Sequence, residues 1–196
     1  LNPDFGQVES DDVIINFSAN ETFYPDKRPF FTENQSLFDI TGWDLRFINT
    51  RRIGGAPDKC SDSNEAHLGQ CDSSISDTSD INYALRYTKE GQVNKYGFFI
   101  SNEDDSLFSE GRDYFAFRYR ANLSKNNGKV GYLVTSVDRP SIDRRATANV
   151  MDFDFKPSFA SRLYGWAGEI DIKEKGIQKK GYGFKTNYTV RVNPEL

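Results

Sequence analysis

The chain has 196 residues and a formal net charge of −4, and 14% of its residues are aromatic, with 16 Phe and 10 Tyr against a single Met. A length of this order fits one all-β domain, flat ring side chains suit pleated surfaces, and the acidic balance argues against a nucleic-acid binder. No run approaches the roughly 20 apolar residues of a helical membrane span, and the opening LNPDFGQVES has neither a basic nor an apolar leader region, so the sequence reads as a mature chain or excised domain that is not membrane-embedded.

Alternation with period 2 is the dominant pattern, and helical periodicity is nearly absent. In chain order it predicts nine strands: VIINF from Val13, WDLRFI from Trp43, INYALRYT from Ile81, YGFFIS from Tyr96, DYFAFRYRANL from Asp113, VGYLVTSV from Val130, VMDFDF from Val150, GEIDIK from Gly168 and a last run from Tyr182. In that last run Tyr182, Phe184, Thr186, Tyr188, Val190 and Val192 share one face, and Lys185, Asn187, Thr189 and Arg191 share the other. Such a strand is expected to bury the first face and wet the second. The NNGK stretch at 126–129 predicts a hairpin between the Asp113 and Val130 strands. Many short strands with Gly- and Pro-bearing connections indicate an all-β antiparallel sandwich.

The longest irregular stretch, 51–80, is expected on the surface. It contains the only two cysteines, Cys60 and Cys71, around the hydrophilic segment SDSNEAHLGQ. Their closeness reads as one local disulfide made in an oxidising compartment, with two unpaired thiols as the alternative. A zinc site would want four ligands, and His67 is the only histidine. No metal, cofactor or catalytic residue is assigned.

Several constellations are weighed for chemistry. Glu169–Glu174 resembles the carboxylate motif of laminarinase-type glycoside hydrolases, but too little chain follows it for that family's sandwich, and it reads as a strand with polar outer residues. The acids Glu103, Asp104 and Asp105, and Asp77 with Asp80, match no EF-hand spacing and read as hydrated loops. Five N-x-S/T sequons, at Asn16, Asn20, Asn34, Asn122 and Asn187, would carry glycans only in a eukaryotic secretory route. Bases cluster as Arg46, Arg51 and Arg52, as Arg139, Arg144 and Arg145, and as Lys173, Lys175, Lys179, Lys180 and Lys185. Two such clusters brought to one pole would make a cationic face suited to acidic glycans.

The cysteine loop CSDSNEAHLGQC, the strand INYALRYTKEG after it and the ending RLYGWAGEIDIKEKGIQKKGYGFKTNYTV together give a pattern that resembles the amino-terminal adhesin domain of tip (minor) subunits of enterobacterial colonization-factor fimbriae, the alpha-class chaperone–usher family. That resemblance implies an immunoglobulin-like β-sandwich over 1–192, followed at 193–196 by the start of a linker to a pilin domain of the same chain. It implies export through the periplasm, with a chaperone and usher, to the fimbrial tip among the major pilin subunits, and binding of a host epithelial glycan or glycoprotein receptor. The receptor-binding residues it suggests are Arg46, Arg51, Arg52, Lys175, Lys179 and Lys180; Glu174 stands where the family tends to place arginine. The rival readings are a structural pilin-type subunit that touches no receptor and a glycosylated eukaryotic secreted β-domain.

Overall fold

A computed structural model describes residues 26–40, 47–55, 57–58, 78–105, 109–123 and 127–191. Seven antiparallel strands form one sheet whose spatial order is their order along the chain. They are β1 (Ile81–Glu90), β2 (Asn94–Glu103), β3 (Asp113–Leu123), β4 (Gly128–Arg139), β5 (Arg144–Ser158), β6 (Ser161–Glu174) and β7 (Ile177–Val190). The all-β, antiparallel expectation is met, and each strand overlaps one read from period-2 alternation, with β5, β6 and β7 starting five to seven residues earlier than expected. The run from Val13 lies outside the described residues, as do Trp43, Cys60, Cys71, His67 and the 193–196 segment; Phe47 and Ile48 of WDLRFI are irregular. An immunoglobulin-like sandwich would also need a second sheet and crossover connections, and the described residues form one meander.

The β3–β4 and β6–β7 connections use turn chemistry. Asn127, in the NNGK hairpin between β3 and β4, has φ 42°, a left-handed conformation that asparagine tolerates. Lys175 (φ 50°) and Gly176 (φ 76°) join β6 to β7 with Glu174 paired to Ile177. Two positive φ values in a two-residue loop match the twist of the flanking strands.

The two faces of the sheet differ. Phe99, Ala116, Leu133 and Val150 point to one face, where Phe31, Leu37, Phe38, Ile40 and Ile53 from the segments before β1 complete a buried core. Within those segments lie a four-residue helix, α1 (Pro29–Thr32), and short 3-10 turns at Gln35–Leu37 and Thr50–Arg52. Phe31, Leu37 and Ile53 are almost wholly buried, worth about 1.5–3 kcal/mol each. This is the covered face.

The opposite, bare face carries the larger side chains. Tyr83, Leu85 and Tyr87 of β1, Phe115 and Tyr119 of β3, Tyr132 of β4, Met151 of β5 and Tyr182, Phe184, Tyr188 and Val190 of β7 are all exposed, Met151 at 65% and Phe184 at 82%. Tyr87 stacks on Phe98 at 5.8 Å and Phe153 on Phe155 at 5.7 Å. The face of β7 expected to be buried is therefore uncovered among the described residues, which corrects the sequence reading. Alternation names two faces and leaves open which one the rest of the chain covers.

The apolar residues of the bare face form an oblique band. On the side toward Asp113 its limit is Tyr83 in β1, Ile100 in β2, Phe115 in β3, Val134 in β4, Met151 in β5 and Ala167 in β6. Following the register from Tyr83 through Asn102, Asp113, Asp138 and Arg145 leads to Lys173 in β6, six residues beyond Ala167. At about 3.3 Å per residue and about 4.8 Å per strand, a slide of that size over five strand steps is a slope of about 40°. In β7 the limit lies one residue pair back, at Tyr182. Beyond this limit the bare face turns polar, with Asp113, Asp138, Arg145, Glu169, Asp171 and Lys180. Tyrosine hydroxyls near the two margins donate to asparagine: Tyr132 to Asn149 and Tyr119 to Asn94, both at 3.0 Å.

Candidate functional site: an arginine-lined covered face

Because side chains alternate, the strands that place aromatics on the bare face place arginines on the covered one. In β3 the run Phe117-Arg118-Tyr119-Arg120 does this in four residues. These arginines reach the main chain of the covering segments. Arg86 donates to the carbonyls of Phe30 (3.1 Å) and Phe31 (3.0 Å), Arg118 to Leu37 (3.1 Å) and Arg120 to Asp39 (2.8 Å). Burial pushes the guanidinium pKa of Arg86 and of Arg120 down from its ordinary value. Arg118, fully buried, also holds Asp152 in a two-pronged pair at 2.5 and 2.9 Å. Gly131 leaves the room for it: a Cβ there would lie 2.8 Å from the Arg118 guanidinium nitrogens.

The covering segments have a matching internal clamp. Arg28 is paired with Asp26 at 2.8 Å and donates to the carbonyls of Ile53 and Thr50, each at 2.8 Å. Burial works to raise the pKa of the Asp26 carboxyl, yet the Arg28 hydrogen bonds and charge outweigh it and hold that pKa below the ordinary value.

At the polar end of the sheet a second network ties Gly54, Gly55 and Asp58 to β2, β3 and β4. Glu103 accepts from the Gly54 amide at 2.7 Å and from Arg112 through both Nη2, at 2.9 Å, and Nε. Arg112 also donates to the Gly55 carbonyl at 2.9 Å. Asp58, 2% exposed, receives Arg139 at 2.7 and 2.9 Å. Tyr114 donates to Glu103 at 3.3 Å, and burial, reinforced by that carboxylate, raises the pKa of its phenol. Glu103, read from sequence as part of a hydrated acidic loop, is thus a buried ion-pair partner. The acidic run Glu103-Asp104-Asp105 hides that its first member ends β2 while only the next two are exposed.

Beside this network lies a cleft of about 260 Å³, lined by Asn49, Arg52, Arg112, Tyr114, Arg139 and Arg144 above an apolar floor that includes Phe47 and Phe99. Asn49 Oδ1 and Arg144 Nε are buried without a hydrogen-bond partner.

The residues singled out from sequence fall in different places. Arg46 is outside the described residues. Arg51 and Arg52 sit in the 3-10 turn of the covering segment, Arg52 at the cleft. Lys175 occupies the β6–β7 turn, at the same end as the cleft, because its amide bonds to the Asp143 carbonyl beside Arg144. Lys179 and Lys180 are neighbours on a strand and so point to opposite faces, with Lys180 Nζ 3.6 Å from Asp171. Arg144 and Arg145 are split in the same way, and Arg145 pairs with Asp138. Sequence reading missed Arg86, Arg112, Arg118, Arg120, Asp58 and Asp152. The available signal was arginine or aspartate at every second place within aromatic strands, in DYFAFRYRANL and VMDFDF.

Among the described residues no group of three or more His, Cys, Asp or Glu gathers as a metal site, and no helix is long and apolar enough to cross a membrane. A family profile described as a domain of unknown function (DUF5916) matches residues 1–86, which takes in the covering segments and ends within β1. No curated protein and no solved structure matches the chain.

Proposed function

We propose that the seven strands are a section of a membrane-spanning β-barrel, with the bare face toward lipid and the covered face toward a lumen occupied by residues 26–40, 47–55 and 57–58. The observation that carries this reading is the wide apolar face that the covering segments leave bare. Aromatic and aliphatic side chains line that exposed face, while the covered one buries arginine–carboxylate pairs around its apolar core. Membrane barrels alternate in this sense, apolar outward and polar inward. Three further features agree with it. The strands run 10 to 15 residues against the 9–11 or so needed to cross a bilayer at a tilt, the oblique band has a slope inside the range of barrel tilts, and tyrosines stand near its margins. The expectation that the chain is not membrane-embedded came from helical length alone, and strands that cross a bilayer need no such run.

Membrane fractionation tests the proposal. The chain should stay with the membrane through alkaline carbonate and be released by detergent, and Phe153→Arg, inside the apolar band between Met151 and Phe155, should cost about 2–4 kcal/mol of folding stability in lipid. Recovery of folded chain in the aqueous phase, with Phe153→Arg neutral, would exclude it. A folded soluble chain that Phe153→Arg destabilises would instead mean that a second protein sheet covers the face, as in the sandwich expected from sequence.

Attachment to host glycans is a second reading, favoured by one observation: Lys175, Lys179 and Lys180 are all exposed on the β6–β7 hairpin. The fimbrial assembly partners suggested by the sequence resemblance belong to this reading. Glycan-array binding that is unchanged after all three are replaced by Ala would remove it from this hairpin.

A further inference from the structure

We infer that the cleft between the 47–53 segment and β3–β5 is a binding site for a small aromatic organic acid that also carries a hydrogen-bond donor. This goes beyond the membrane reading and does not depend on it. The cleft volume of about 260 Å³ lies just below the usual range for ligand pockets, which begins at about 300 Å³, and so suits a fragment-sized molecule. Its apolar floor, with Phe47 and Phe99, would take a ring.

The polar rim defines the rest of the ligand. Arg112 and Arg139 are committed to Glu103 and Asp58, so two cations face two carboxylates. Arg144 stands apart from that balance, with its Nε buried and lacking an acceptor. Asn49 Oδ1, on the same cleft, is buried and lacks a donor. A buried polar atom left unpaired costs about 1–3 kcal/mol, and these two are half of the four such side-chain atoms among the described residues. A carboxylate supplies the acceptor that Arg144 wants, and a hydroxyl or amine supplies the donor that Asn49 wants.

Calorimetric titration of the folded chain with 4-hydroxybenzoate is the test, in detergent or in buffer according to the fraction that holds the protein. Saturable binding at millimolar concentration or below is expected, weakened at least about tenfold by Arg144→Gln, since a charge-assisted bond would be lost. The uncharged analogue 4-hydroxybenzamide should bind at least about tenfold more weakly to the unaltered chain. Ala146→Leu, which fills the cleft without touching its charges, should also abolish binding. Absence of saturation by chain whose β-sheet circular dichroism is intact would overturn the inference, as would equal affinity for acid and amide. If Arg144→Gln fails to fold, the acid–amide comparison decides alone.

Discussion

Asp152 shows what single residues do on the covered face. Its carboxylate is the only charge paired with fully buried Arg118 among the described contacts, so Asp152→Asn strands a guanidinium away from water. Breaking one side of a buried pair costs about 3–5 kcal/mol, whereas replacing both partners with apolar side chains of similar size is often neutral. Urea titration should therefore show Asp152→Asn less stable by about that amount, and Arg118→Met combined with Asp152→Leu should recover most of the loss. A double variant as unstable as the single one would mean that the Arg118 bond to the Leu37 carbonyl is the larger contribution. None of this pairing could be read from the sequence. Arg118 and Asp152 are 34 residues apart, and only the register of β3 on β4 and β4 on β5 brings them together.

The elements themselves were far more legible. Seven of the predicted strands have partners in the sheet because each carries strict alternation over eight or so residues, and the NNGK and Lys175-Gly176 connections have the residue chemistry of hairpin turns. What alternation could not supply was the sign of the faces. On β7, Tyr182, Phe184 and Tyr188 pass for a core-facing stripe until the covering segments are seen to pack on the opposite face of the sheet, reaching as far as Trp166 of β6. The element-scale prediction follows from this. In chain assembled into lipid, Phe184→Arg should lower folding stability by about 1–3 kcal/mol, read by urea titration, while Lys185→Ala, one residue on and on the other face, should leave it unchanged. Equal effects at both positions would mean that the two faces of β7 are not in different media.

For the molecule as a whole, the resemblance read from sequence led to a self-contained sandwich with a basic pole, whereas the described residues form a single sheet with one side packed on an apolar core and buried ion pairs and the other side apolar and open. The bulk composition could not separate these. Aromatic, alternating sequences serve a sandwich core and a lipid-facing wall equally well, and the difference lies in where the charges of the facing side find partners. The slope of the apolar band makes the whole-molecule expectation quantitative. Polarised infrared spectroscopy of the chain in oriented bilayers should give strands inclined about 40° to the membrane normal. Strands lying flat in the membrane plane would refute a spanning sheet.

Among the described residues β7 has β6 as its single sheet neighbour, and β1 has β2. Each outer strand thus presents a row of amide and carbonyl groups along its far side. In oil every unsatisfied group of this kind costs several kcal/mol, a far heavier burden than any one ring on the apolar wall can offset. On the proposed membrane reading this sets the order of biogenesis: the two rims would be zipped, to each other through added strands or to a helper that lends its own, before the wall meets acyl chains, with closure first and immersion second.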